Sequence, residues 1–90
     1  MERILVHPRV VKRHPELSVQ QVRYAWEHAL RSAPRVYKDP HQHLAIGVDA
    51  SGKQIELVAK ILPDGSVLIY HAFSPPTRKA LHELGLTKRG

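Results

Sequence analysis

Glu56, Lys60 and His71 carry the side-chain types of general acid–base catalysis, and the turns between them set how close they come. Ser51-Gly52 and Asp64-Gly65 read as two-residue hairpin turns between segments of alternating polarity. A two-residue turn at Asp64-Gly65 places Val58 opposite His71, Lys60 opposite Ile69 and Glu56 opposite Phe73. One at Ser51-Gly52 places His43 opposite Lys60 and Gly47 opposite Glu56. Directly opposed residues share a sheet face. One face is then expected to carry His43, Ala45, Gly47, Glu56, Val58, Lys60, Ile69, His71 and Phe73. Glu56 and Lys60 become the diagonal neighbours of His71, with His43 beside Lys60.

Those groups suit a phosphodiester. Metal-free cleavage of RNA needs a base for the 2′-hydroxyl proton, cations for the charged phosphorane and an acid for the leaving oxygen. His71 fits as base or acid, Glu56 as its carboxylate partner, and Lys60 and Arg78 as cations. Lys79, His43, His14, Arg13 and Lys12 are the expected RNA-contacting residues around them. The plainer alternative is that the wet side of an antiparallel sheet carries His, Lys and Glu merely as solvated residues. Ile69 and Phe73 on that face suit either a protein interface or platforms for stacked bases.

Other constellations carry less. His41-Gln42-His43 has the spacing of a metal pair but no third ligand, so no metal and no cofactor are expected. Trp26 falls on a helical apolar stripe and reads as core. No Gly-rich nucleotide motif and no Ser-His-Asp set occurs, and the absence of cysteine excludes thiol chemistry and disulfides.

Several elements must position these residues. Ile4-Leu5-Val6 reads as a strand, and Pro8 opens a short helix running from Arg9 to about Arg13, which Pro15 stops at His14. Ser18 and Gln21 form a capping box, with Leu17 placed to staple onto Val22. Val19, Val22, Ala25, Trp26, Ala29, Leu30 and Ala33 then recur at helical spacing, which predicts one helix over 18–33 ended by Pro34. A polar connection over 35–43 leads into a three-stranded antiparallel meander. Its other face, with Leu44, Ile46, Val48, Ile55, Leu57, Ala59, Ile61, Leu68, Tyr70 and Ala72, is expected to take the helices and bury Trp26. Ser74-Pro75-Pro76 starts a last short helix stopped by Gly85. The reading is one α+β domain over residues 1–86 with a basic tail over 87–90.

Ninety residues suffice for one compact domain, and 42% hydrophobic residues exclude a mainly disordered chain. Fourteen Lys and Arg against eight Asp and Glu give +6, which favours a polyanionic partner. The apolar runs are strand-sized and the start lacks a signal-peptide core, so a cytoplasmic protein with no membrane partner is expected.

The order strand, helix, helix, meander, short helix resembles the RelE/ParE superfamily of toxins from type II toxin–antitoxin pairs, and within it the BrnT-like group. Lys12-Arg13-His14-Pro15-Glu16-Leu17-Ser18 is similar to the K-H-G-V-S step that leads into a helix there. Ile46-Gly47-Val48-Asp49, Ser51-Gly52-Lys53, Glu56-Leu57-Val58, and Ile69-Tyr70-His71-Ala72-Phe73 with Thr77-Arg78-Lys79 resemble the C-terminal half. This chain departs from that group in having Ala72-Phe73 where it carries Ala-Arg; Arg78 is expected to supply that charge from a slightly different place, so the group's mechanism does not carry over unchanged. The resemblance implies a RelE-like fold and a translation-inhibiting endoribonuclease toxin, cutting mRNA free or on the ribosome. It also implies a cognate antitoxin partner forming a hetero-oligomer. The alternative within the same fold is a non-catalytic protein that is gyrase-directed or binds nucleic acid.

Overall fold

The computed structural model describes residues 3–35 and 37–86. The elements run β1 (Ile4–Val6), α1 (Pro8–Arg13), α2 (Val19–Glu27), β2 (Ala29–Arg35), β3 (Asp39–Val48), β4 (Gln54–Ile61), β5 (Val67–Phe73) and α3 (Arg78–Glu83). The fold is α+β, with one five-stranded mixed sheet in the order β1-β5-β4-β3-β2. β2 to β5 are antiparallel, and β1 joins β5 in parallel at the other edge. The expected three-stranded meander is thus the centre of a larger sheet. The basic tail over 87–90 lies outside the described residues.

Helix starts follow the local chemistry. Ser18 Oγ accepts from Gln21 N at 3.0 Å and Gln21 Oε1 accepts from Ser18 N at 3.2 Å, so the capping box is complete. Leu17 and Val22 are both buried beside it. Pro8 occupies the first turn of α1, where no N–H is needed.

The helix expected over 18–33 ends instead at Glu27. The His28 N–H and its ring Nδ1–H both donate to the Tyr24 carbonyl, at 3.0 and 2.9 Å, closing the last turn. Residues 29–35, and most of the expected connection over 35–43, are strand. Ala29, Leu30 and Ala33 continued the helical period, but Pro34 is incompatible with a helix interior and is tolerated on an edge strand. Pairing with β3 satisfies the same backbone and covers the β3 edge.

The hairpin turns differ from expectation in a way that decides the faces. Among the described residues only glycines have positive φ, and a two-residue I′ turn needs two such positions. Both turns are instead three-residue loops with glycine in the left-handed position: Gly52 and Gly65 each have φ 87°. Gly52 N donates to Asp49 O, and Gly65 N to Leu62 O, each at 2.9 Å. Asp49 and Asp64 brace them by accepting from Ser51 N and Ser66 N.

The β3–β4 register is therefore shifted by one from the expected pairing. Glu56 faces Ile46 and not Gly47, while His43 faces Ala59 and not Lys60. In the β4–β5 hairpin the same shift places Lys60 opposite Leu68 and not Ile69, but a bulge after Val58 then shifts the pairing back. Val58 opposite His71 and Glu56 opposite Phe73 hold as expected. Two unforeseen features cancel there.

Both faces are consequently packed, where the expected partition left one of them wet. Val10, Leu17, Val22 and Ala25 of the α1–α2 layer bury Ala45, Ile55, Leu57, Ala59, Val67, Ile69 and Ala72. Trp26 is half-buried at the margin of that cluster, less covered than its stripe position implied. On the other face Ala80 and Leu84 of the α3 region close over Leu44, Ile46 and Val58, with Tyr70 alongside. Leu57 and Tyr70, expected on one face, lie on opposite ones.

Candidate active site

α3 has six residues, too few to cover the sheet face it sits on. The uncovered part is a cavity of about 570 Å³ whose wall includes Glu56, Tyr70, His71, Arg9, Lys38 and Lys79. Tyr70 and His71 are consecutive yet both line it. In a regular strand they would point to opposite faces; the bulge after Val58 turns them to the same side.

Glu56 is the fixed point. One carboxylate oxygen accepts from Thr77 N at 2.9 Å and Thr77 Oγ1 at 2.7 Å; the other accepts from His71 Nε2 at 2.8 Å. Thr77 Oγ1 also caps α3 by accepting from Ala80 N at 3.2 Å, so the helix start and the carboxylate are tied together. Burial raises the Glu56 pKa, but hydrogen bonds from His71 and Thr77 together outweigh it and bring it to about 2. Glu56 is ionised at neutral pH.

An ionised carboxylate only accepts, so Nε2 of His71 carries the proton. In the neutral ring Nδ1 then bears the lone pair, and it makes no hydrogen bond to any described residue. The side chain is 39% exposed, against 10% for Glu56. This is an imidazole oriented by a buried carboxylate with its basic nitrogen left open.

Tyr70 is held by a second chain. Glu83 grips Arg35 through two contacts, Nε at 2.9 Å and Nη2 at 3.1 Å. Arg35 Nη1 donates to Gln42 Oε1 at 3.5 Å, which fixes the amide so that Gln42 Nε2 donates to the Tyr70 oxygen. With that oxygen accepting, the phenol proton is free to be given elsewhere. Burial raises the Tyr70 pKa, with Arg35 acting against it, and the phenol stays protonated at neutral pH. Tyr70 is an acid and not a base.

The residues expected from sequence divide. His71 and Glu56 meet, and Lys79 lines the same cavity. Lys60 does not line it: its ammonium lies 3.9 Å from Asp39 and borders a separate depression. Arg78 is exposed at the first turn of α3 and also lies outside the cavity wall. His43 falls on the α1–α2 side with Ala45 and Ala59, its Nδ1 buried without a partner. His14 sits 3.6 Å from Glu16 and edge-on to Phe73 at 5.3 Å, while Lys12 and Arg13 are exposed at the end of α1. Among the described residues no three His, Cys, Asp or Glu side chains converge as a metal site.

Sequence reasoning missed Tyr70, Thr77, Gln42, Arg35, Glu83, Arg9 and Lys38. The bulge that turns Tyr70 inward has no local signature, and Arg35 lay within an expected connection. Thr77 was findable: Thr three residues before Ala80, after two prolines, is a helix-capping pattern. No family model matches the chain, and neither a curated protein nor a solved structure matches it. None of the helices among the described residues is long and apolar enough to cross a membrane.

Proposed function

We propose that the protein is an endoribonuclease that cleaves RNA by metal-independent acid–base chemistry, acting as the toxin of a toxin–antitoxin pair. One observation carries the catalytic part: a carboxylate-oriented imidazole and a protonated phenol open onto one cavity together with three cations besides the Glu83-bound Arg35. His71 Nδ1 takes the 2′-hydroxyl proton and the resulting oxyanion attacks the adjacent phosphorus. Arg9, Lys38 and Lys79, which make no ion pair with any described residue, stabilise the phosphorane charge. Tyr70 protonates the departing 5′-oxygen. The products are a 2′,3′-cyclic phosphate and a 5′-hydroxyl.

The biological part rests on the RelE/ParE-like motifs, together with the net charge of +6 that suits a polyanion. In that reading mRNA, free or on the ribosome, is the substrate in the cytoplasm, and a cognate antitoxin holds the toxin inactive in a hetero-oligomer. Expression without any partner should arrest growth, and purified protein should leave cyclic-phosphate ends on labelled RNA in the presence of EDTA. Growth arrest with no RNA cut, with or without ribosomes, would replace this reading with the gyrase-directed or binding one. Cleavage abolished by EDTA would replace the mechanism.

A further inference from the structure

Beside the reactive cavity lies a second depression of about 360 Å³, bordered by His41, Lys60, Ile61, Leu62 and Pro63. Its wall pairs an apolar surface with two groups that suit an anion. The two depressions adjoin through one contact: Asp39 lines the reactive cavity, and its Oδ2 lies 3.9 Å from Lys60 Nζ. Asp39 is fixed there by accepting from His41 N at 2.9 Å. Lys60 and His41 are both exposed, and the Lys60–Asp39 pair is long and open to water, which leaves the ammonium able to meet a phosphate.

Resting on the ribonuclease reading, we propose that this depression binds the nucleotide next to the scissile linkage in the same RNA strand. Its base lies on Ile61, Leu62 and Pro63, and its phosphate meets Lys60 and His41. A nucleotide matches both halves of the wall, since a base needs apolar surface to leave water and a phosphate needs a cation. The Asp39–Lys60 contact joins the walls of the two depressions at the end of the sheet, so the occupant in reach is a neighbouring nucleotide of the same strand. Lys60 thereby acts on substrate length and not on the reacting phosphorus. The apolar floor fits every base, so the subsite selects for chain length over sequence.

The test compares a dinucleotide with trinucleotides extended on the 5′ or the 3′ side. Extension on one side should lower KM by about tenfold, the scale of one charge-assisted contact. Lys60→Ala should erase that advantage and Lys60→Arg should restore most of it, with little change in the kcat of the trinucleotide. Uncleavable 2′-O-methyl trinucleotide should also shift the NMR signals of His41, Lys60 and Leu62 in the parent. If the parent cuts RNA but the length advantage survives in Lys60→Ala, or those signals do not move, the subsite is wrong and the ribonuclease reading stands. If the parent cuts nothing while the signals shift, the nucleotide site stands and the catalytic reading falls.

Discussion

The two faces of one sheet are built to opposite ends. The α1–α2 face is closed: Ile55, Leu57, Ala59, Val67 and Ile69 are fully buried, and among the described residues the one buried side-chain polar atom without a partner is the His43 ring nitrogen. α2 lies so near β3 that a Cβ built on Gly47 would come within 1.8 Å of the Ala25 carbonyl oxygen. The α3 face has an apolar half, Leu44, Ile46 and Val58 under Ala80 and Leu84, and a polar half where the short helix runs out. There the groups hold one another by hydrogen bonds in two chains, Thr77–Glu56–His71 and Glu83–Arg35–Gln42–Tyr70. One face supplies stability, so the other can keep ionisable groups half-open to water. Substitutions on the two faces should therefore separate folding from function.

The largest effect belongs on the closed face. Gly47→Val meets backbone that can yield only by moving α2, so it should cost at least about 3 kcal/mol and leave little folded protein. Leu57→Ala, at a fully buried position, should cost about 2–5 kcal/mol in denaturant melts, with kcat little changed in the fraction that remains folded. A Gly47→Val protein of parental stability would show that the packing of α2 on β3 is not as described.

On the open face the order reverses. Glu56→Gln keeps shape and can still accept from Thr77, but its NH2 must then face His71. The ring would be forced to accept at Nε2 and carry its proton on Nδ1, the nitrogen assigned as base. RNA cleavage should fall by roughly two orders of magnitude, while stability drops by only about 1–3 kcal/mol. Tyr70→Phe should slow cleavage about tenfold or more and keep the fold, since the ring still packs beside Leu44 and Val58.

A smaller signature lies in acid. The Glu56 pKa is about 2 in the fold, against 4.5 for an ordinary Glu. A lowered pKa adds stability that is complete above about pH 4.5 and is lost as pH falls toward 2. Asp49 behaves alike: hydrogen bonds from Ser51, Gln21 and Lys53 lower it to about 2. Glu56→Gln should flatten the pH dependence of stability between 4.5 and 2 without abolishing it. An unchanged acid profile would mean that Glu56 is not held as described.

Much of this was legible beforehand, for stated reasons. A capping box is local chemistry, and Ser18-x-x-Gln21 behaved as such. The His71–Glu56 meeting was foreseen from a register that is correct at Val58 and Glu56 only because a loop residue and a bulge offset each other. In the other hairpin no bulge compensates, and His43 moved to the opposite face. Side-chain alternation makes such one-residue errors total. Lys60 keeps the face of Glu56 and Val58, as alternation along β4 requires, but its ammonium turns to Asp39 and away from His71, which no register argument foretells. β2 was hidden because Ala29, Leu30 and Ala33 fit a helical period, and only pairing with β3 decides between helix and strand there. The long-range grip of Glu83 on Arg35 has no sequence signal at all.

The central claim is that His71, aimed by Glu56, removes the 2′-hydroxyl proton. The direct measurement is single-turnover cleavage of labelled RNA by His71→Ala, run in EDTA beside thermal melts. His71 is half-exposed, so the variant should melt close to the parent, within about 0.5 kcal/mol plus the loss of its bond to Glu56. Its rate should be about a hundredfold lower, and the pH–rate profile should lose the limb that reports a base. A stably folded His71→Ala protein that cuts RNA at the parental rate would contradict the account.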